Sequence, residues 1–303
     1  MHVAVAIVGY RNTDDIVRCL GALAGSDHAD FEVVICENGG PEAYGRLIAA
    51  IPEALAGGQP VRTVLAPGNL GFAGGVNVGL RETPDADAWW ILNPDTSPPP
   101  RAMAAMVEAL EAGDCDAVGG PLYLGNGTVQ SYGGLWQGWA ARAVSIGHGG
   151  PQGEPVDAAA ITARQNYLNG ASMMVGRRFI ETAGLMREDY FLYCEEVEWC
   201  LRAKTLGLRL GFAPEAVVLH YQGTTTGAGG RVADRSRISV YLGERNKMLL
   251  TRDRFAARLP IAFAATLVVI GARYGRARAW KQMGHALAGV WAGLLNQRGP
   301  PPV

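Results

Sequence analysis

Charge is scarce in this 303-residue chain, and so are the short signatures that most often betray a function. Only 18% of the residues are Asp, Glu, Lys or Arg, against 49% hydrophobic. Five cysteines (Cys19, Cys36, Cys115, Cys194, Cys200) are odd in number and scattered, with no CxxC pair. That excludes a zinc knuckle or a thioredoxin-like redox site and points to buried free thiols in a reducing compartment. Glycine and proline total 58 residues, too few for a low-complexity disordered chain. The opening MHVAVAIVGYRN has neither a basic leader nor a cleavable apolar core, so secretion is not expected. The longest apolar run, 259–272, is 14 residues. A bilayer span needs about 20, so this run is expected to be interfacial or buried.

The formal net charge of −1 points away from nucleic acid, but it is a cancellation. From Arg231 onward there are 13 Lys/Arg against only Asp234, Glu244 and Asp253, a net of +10; the first 230 residues carry 14 basic and 25 acidic side chains, a net of −11.

The first half alternates strand and helix patterns. Strands are expected at 3–8 (VAVAIV), 31–36 (FEVVIC), 61–65 and 88–92 (AWWIL), the apolar runs of strands buried on both faces. Helices are expected at 14–23, 44–55, 73–81 and 102–112. This alternation with short connections is that of an α/β domain with a mainly parallel, Rossmann-like sheet. Beyond residue 116 the pattern loosens. Residues 119–153 read as irregular strands and loops, 167–175 as a strand returning to the sheet, and 177–185 and 193–206 as helices. Residues 212–220 read as a last strand, and from 235 the chain is helical, basic and partly apolar.

Ligands of a doubly wound sheet bind at the carboxyl ends of its strands. Glu37-Asn38, Asn93-Pro94-Asp95 and His220 all fall there. A carboxylate in a proline-held turn, such as Asp95, can hold a hard divalent cation together with phosphate oxygens, although the same tripeptide also makes a plain turn. His220 can complete such a metal shell or be a satisfied strand-end histidine. The stretch from Asn69 to Gly79 (NLGFAGGVNVG) leads glycines into a helix, but its spacing is neither GxGxxG nor GxxxxGK[ST]. It suits either close approach to an anion or tight packing of helix on strand. Glu195-Glu196 opens a helix among aromatic neighbours. Glu196 there is either a general base or a complement to the helix dipole. Glu198 and Arg202 form an i,i+4 pair.

Seven motifs in order, VAIVGYRN (5–12), VVICENGG (33–40), NLGFAGGVNVGL (69–80), ILNPDT (91–96), NGASMMVGR (169–177), FLYCEEVEWCLR (191–202) and HYQGTTTG (220–227), resemble an inverting family 2 glycosyltransferase of the bacterial rhamnosyltransferase-like type. The resemblance implies a GT-A fold over 1–230, with a nucleotide-binding half (1–115) and an acceptor-binding half (116–230). The basic helical segment 231–303 follows. Asp95 resembles the last metal-binding residue of the DXD-like motif, with Asn93 in place of its first Asp, and His220 the histidine near metal and diphosphate. Glu37 corresponds to the reader of the nucleotide base, and Tyr10, Asn12, Asn69, Gly71 and Asn77 to the rest of the nucleotide-sugar site. Glu196 matches the catalytic base, with Glu195 able to share the role, and Gly170, Trp199 and Arg202 fall on the acceptor side. At 196 the family usually has Asp; Arg187 stands where many relatives have Asp, which suggests a different acceptor contact.

The implied reaction is a single displacement from a nucleotide diphospho-sugar, dTDP-rhamnose first and UDP-sugars next, assisted by Mg²⁺ or Mn²⁺. The acceptor would be a glycan or polyprenyl-linked glycan of cell-surface polysaccharide synthesis. Residues 259–272 with Arg273, Arg276, Arg278, Lys281, Trp280 and Trp291 suit an anionic membrane surface, which would place the enzyme at the inner face of the cell membrane. A helical cap with a solvated charged face is the alternative for this segment. A non-catalytic glycan-binding protein is the alternative for the whole chain and would need neither Asp95 nor Glu196.

Overall fold

The computed structural model describes residues 1–221 and 231–302. The HYQGTTTG motif from 222 onward lies outside them. The chain runs β1 (Val3–Gly9), α1 (Thr13–Leu23), β2 (Phe31–Glu37), α2 (Pro41–Ala50), β3 (Val61–Leu65), α3 (Gly71–Glu82), β4 (Ala88–Leu92), β5 (Thr96–Ser97) and α4 (Arg101–Glu111). Short strands follow: β6 (Ala117–Gly119), β7 (Leu122–Leu124), β8 (Val129–Ser131), β9 (Gly134–Gln137) and β10 (Arg142–Ser145). Next come α5 (Ala158–Arg164), β11 (Ser172–Gly176), α6 (Arg177–Ala183), α7 (Glu195–Thr205), β12 (Leu210–Phe212) and β13 (Val218–His220). Three helices close the chain: α8 (Arg237–Phe255), α9 (Leu259–Arg276) and α10 (Trp280–Leu294).

Seven strands form the main sheet in the order β12-β6-β11-β4-β1-β2-β3. All its pairings are parallel except those of β11, which runs antiparallel to both β4 and β6. The near-continuous apolar runs of β1 and β4 explain their central places, because each must be covered on both faces. Side chains then alternate between two cores. Val3, Val5, Ile7 and Trp90 pack with α1 and α4, whereas Ala4, Ala6, Trp89 and Ile91 pack with α3, α6 and α7. Each tryptophan satisfies its indole N–H on its own side: Trp90 donates to Ser172 Oγ (3.0 Å) and Trp89 to Thr83 Oγ1 (2.9 Å). A four-stranded sheet, β5-β13-β7-β8, and the hairpin β9-β10 stand beside the main sheet.

Several expected boundaries move for local reasons. Helix α2 begins at Pro41, where a missing N–H costs nothing, and ends before Pro52. The single strand expected at 212–220 is two strands in two sheets, since the turn around Pro214 lets β12 pair with β6 and β13 with β7. The strand expected from 167 starts at Ser172. Helix α7 starts two residues later than expected because Phe191, Tyr193 and Cys194 all have positive φ (67°, 74° and 67°), which helical geometry does not allow.

The C-terminal helices are not a separate appendage. Val240, Met248 and Leu250 of α8, Ile270 and Tyr274 of α9 and Val290 of α10 belong to the same apolar core as Ala4 and Ala6 of β1. This core therefore runs across the 230/231 boundary rather than stopping at it. The 14-residue apolar run lies inside the 18-residue α9. The helical run Arg237–Arg276 is long and apolar enough to cross a membrane by length and composition, and 17% of its most apolar window is buried.

Helix α10 approaches α8 through Gly289 and Gly293. A Cβ on Gly293 would lie 2.5 Å from the Arg245 carbonyl oxygen, whereas one on Gly243 of α8 would meet nothing within 4 Å. Gly293→Val is accordingly expected to destabilise the protein by about 1–3 kcal/mol through overpacking, lowering Tm by several degrees. Gly243→Ala is expected to be neutral or stabilising by up to ~1 kcal/mol. Thermal denaturation of both variants checks this, and equal Tm values would contradict the packing described.

Candidate active site

A cleft of about 940 Å³ opens at the carboxyl ends of β1 and β4 and reaches the N-terminus of α7. This is where a doubly wound sheet binds ligands. Three groups of side chains meet in it.

The first is built by the turn after β4. Asp95 and His220 are both nearly buried, and His220 Nε2 lies 3.1 Å from Asp95 Oδ1. The pairing of β13 with β5 brings them together, setting His220 opposite Thr96. With the Gln130 amide oxygen assigned as acceptor, His220 donates from Nδ1 over 2.8 Å, which turns the Nε2 lone pair toward the carboxylate. Two acceptors facing one another are a donor set that a cation satisfies. Among the described residues no cluster of three or more His, Cys, Asp or Glu side chains could hold a metal. Two protein ligands nevertheless suffice for Mg²⁺ or Mn²⁺ when phosphate oxygens complete the shell.

The second group is the carboxylate pair at the start of α7. Glu195 is buried and Glu196 half-buried. Burial pushes the Glu196 carboxyl up to about 6, against the pull of the Glu196 and Val197 backbone N–H groups at the helix start. Glu195 is also raised, by burial first and by the Glu196 charge second. One oxygen of each, Oε2, is buried without a hydrogen-bond partner among the described residues.

The third group is the glycine turn before α3. Gly71 has φ +72°, and a Cβ there would sit 2.1 Å from the Phe191 carbonyl oxygen. That same carbonyl accepts the Phe72 N–H at 2.7 Å. Asn69 Oδ1 accepts the Gly71 N–H, and Asn38 brackets the turn by accepting from Leu70 N–H and donating to Gly71 O.

With this geometry, residues 1–237 match the family described as Glycosyltransferase like family 2. The chain belongs to that family. It is a glycosyltransferase. A relative in Haloferax volcanii, "Low-salt glycan biosynthesis hexosyltransferase Agl10", is 21% identical over 98% of this chain and 92% of its own. Among solved structures, the Pyrobaculum calidifontis mannosyltransferase PcManGT in complex with GDP-Man and Mn²⁺ is 16% identical, with a TM-score of 0.58 over 98% of this chain and 88% of that one. GalNAc-T7 with UDP, GalNAc and Mn²⁺ is 13% identical, with a TM-score of 0.64 over 83% of this chain. The match spans 48% of GalNAc-T7, about half the length of that longer protein. These likenesses fix the fold as GT-A.

The glycosyltransferase cleft brings together Tyr10, Asn69, Gly71, Asn93, Asp95, Gly170, Glu195, Glu196 and His220 of the residues expected there. Gly170 lies against Glu196, where a Cβ would be 3.4 Å from the Glu196 Cβ. Other expected residues are elsewhere. Glu37 is fully buried, its Oε1 accepting the Arg11 and Gly39 N–H groups, so it braces the strand ends while Asn38 beside it reaches the cleft. Asn12 Oδ1 accepts the Tyr10 N–H ahead of α1. Asn77 is buried and links α3 to the segment before the carboxylates, donating to Met186 O and Glu188 and accepting Met186 N–H. Trp199 is fully buried, edge-on to Phe179, with its indole N–H on Gly184 O, and cannot touch an acceptor. Arg202 is occupied by Glu198 and by the Leu185 carbonyl. Arg187 pairs with Asp189 and Asp253 rather than facing the cleft.

Sequence reasoning missed Gln130, a lone polar residue in a weakly patterned stretch, and Tyr241 and Pro300–Pro302, which line the cleft from the C-terminal segment. No local motif marks them.

The base role that the resemblance assigns to Glu196 requires the carboxyl to be ionised. The kcat/KM of the glycosyltransferase is therefore expected to fall about tenfold per pH unit below about 6 and to level off above it. A pH–rate profile at saturating metal checks this, and a flat profile down to pH 5 would contradict it. A raised carboxyl pKa means that the folded state holds this proton more tightly than the unfolded chain. The stability it contributes is thus full below about 4.5 and lost as pH rises through about 6.

Proposed function

We propose that this glycosyltransferase moves a hexose from a nucleoside diphosphate sugar to a hydroxyl of a glycan or polyprenyl-linked glycan, with inversion at the anomeric carbon. The observation that carries the reading is that a half-buried carboxylate with a raised pKa, Glu196, shares one cleft with the Asp95–His220 pair. Glu196 takes the proton of the acceptor hydroxyl as its oxygen bonds to the anomeric carbon; the bond to the diphosphate oxygen breaks on the opposite face. General-base assistance of this kind is worth about 10²–10⁴-fold. Asp95 and His220 would hold a divalent cation at the diphosphate end of the donor, with Gln130 fixing the imidazole. A divalent cation bound there would neutralise charge on the leaving nucleotide. The imidazole tilts the choice toward Mn²⁺ over the harder Mg²⁺. The glycine turn at 69–71 and the Asn38 amide meet the nucleotide from the other side. The relative named as a hexosyltransferase and the solved mannosyltransferase support a hexose. The resemblance puts dTDP-rhamnose first among donors and UDP-sugars next.

The C-terminal helices support a place at the inner face of an anionic membrane. Val268 is 73% exposed, Trp280 and Trp291 are each 62% exposed, and Arg273, Arg276, Arg278 and Lys281 stand nearby in sequence. Apolar and cationic side chains with tryptophans among them suit an interfacial site, where a lipid-linked acceptor would be met.

Glu196→Gln is expected to lower turnover by about 10²–10⁴-fold with donor binding kept, whereas Asp95→Ala is expected to weaken metal-dependent binding of the nucleotide. Calorimetric titration beside a transfer assay separates the two, after a thermal-shift screen of dTDP-, UDP- and GDP-sugars with Mn²⁺ has picked the donor. Full turnover in Glu196→Gln would sink the base assignment. Co-sedimentation with phosphatidylglycerol vesicles is expected for the full chain and to be lost in Trp280→Glu/Trp291→Glu; retention by that variant would refute the membrane surface.

A further inference from the structure

The segment that delivers Glu195 and Glu196 is strained, and part of what holds it comes from beyond the family match. Phe191, Tyr193 and Cys194 have φ of 67°, 74° and 67°, none of them glycine. Left-handed backbone at such residues is costly and persists only where its surroundings over-determine it. From the cleft side the turn is tied by the Phe72 N–H to Phe191 O. From the opposite side it meets α8. Asn246, fully buried, points its amide group at the turn and shares its N–H donors among Tyr190 O, Leu192 O and Tyr193 O, each at 2.8 Å. Arg245, 1% exposed, donates from Nε to Asn246 Oδ1 (2.9 Å), which fixes which end of the amide faces the turn, and from Nη2 to Tyr190 O (3.0 Å). Its remaining Nη1 reaches Gly299 O.

Helix α8 has no need of these groups for itself. Its other buried polar side chains, Glu244 and Thr251, bond within the helix to Lys247 and to the Lys247 carbonyl, and Leu242, Met248, Leu249 and Leu250 supply its apolar packing. A buried amide and a buried guanidinium are costly unless bonded, and the bonds of these two go largely to this one turn.

We propose that Asn246, oriented by Arg245, is a positioning residue: it holds the Tyr190–Cys194 turn in its strained form and so fixes the direction in which Glu196 leaves the start of α7. The proposal rests on the reading of Glu196 as the base. It assigns part of the active site's preorganisation to the C-terminal helices, outside the residues matched by the family.

The test is kinetic. Asn246→Ala is expected to lower kcat by about 10- to 100-fold, the penalty of misplacing a reacting group by about 1 Å. The dissociation constant for the nucleoside diphosphate with Mn²⁺, read by titration calorimetry, is expected to stay within about twofold. The acid limb of the pH–rate profile is expected to move away from its wild-type position. Arg245→Lys, which keeps the charge and loses the fork that orients the amide, is expected to show the same split to a smaller degree, and it carries the test if Asn246→Ala does not fold. Unchanged kcat in either folded variant overturns the proposal, as does a fall in kcat matched by an equal loss of nucleotide binding. Glu196→Gln is the control: if it turns over normally while Asn246→Ala is impaired with donor binding kept, the base assignment fails and the turn positions some other group.

Discussion

The site depends on one short turn, residues 190–194, gripped from two directions. On one side Gly71 gives up a side chain so that the Phe191 carbonyl can come within hydrogen-bond distance of Phe72. On the other, Asn246 and Arg245 of α8 fasten the carbonyls of Tyr190, Leu192 and Tyr193. Left-handed backbone at Phe191, Tyr193 and Cys194 follows from being held at both ends, and α7 can then begin only at Glu195. The carboxylates therefore enter the cleft from a helix N-terminus, where backbone N–H groups oppose the desolvation that raises the Glu196 pKa. Glu196 keeps a value near 6, high enough to accept a proton usefully and low enough to be ionised at neutral pH.

The division of charge along the sequence takes a different meaning in this light. The +10 of residues 231–303 is not one outward-facing stripe. Arg245 is buried against the turn, and Arg298 is paired with Asp253 and Asp189, where Arg187 and Tyr190 join the same network. This network fastens the residues ahead of the turn to α8 and to the chain beyond α10. Arg276, Arg278 and Lys281, at the end of α9 and the start of α10, are exposed, as are Val268, Trp280 and Trp291. Part of the C-terminal charge is thus spent inside the fold, on the turn and the residues ahead of it.

Much of the fold was legible because its signals are local. Runs such as VAVAIV and AWWIL announce strands buried on both faces, and the alternation with helices announces the sheet type. Asp95, Glu196 and Gly71 were legible for a related reason, since each sits at a strand end, helix start or glycine turn that sequence spacing marks. The failures have one physical cause: proximity in three dimensions that no spacing encodes. Trp199 and Arg202 follow Glu196 closely in sequence, yet helical geometry turns both inward to Gly184 and Glu198. Asn77 lies in a motif that lines the cleft, but α3 carries it to the opposite face, against Met186. Gln130 and Asn246 act from 90 and about 50 residues away from the groups they hold. Glu37 and Asn38 exchange places because consecutive strand-end residues point to opposite sides.

The central claim is that Glu196, held by this turn, drives a single displacement. The most direct measurement is the anomeric configuration of the product formed from the preferred nucleotide sugar, read from its anomeric proton by NMR. The account requires inversion relative to the donor, because one base and one attack from the far side of the leaving group allow nothing else. A product with the donor's configuration retained would contradict it.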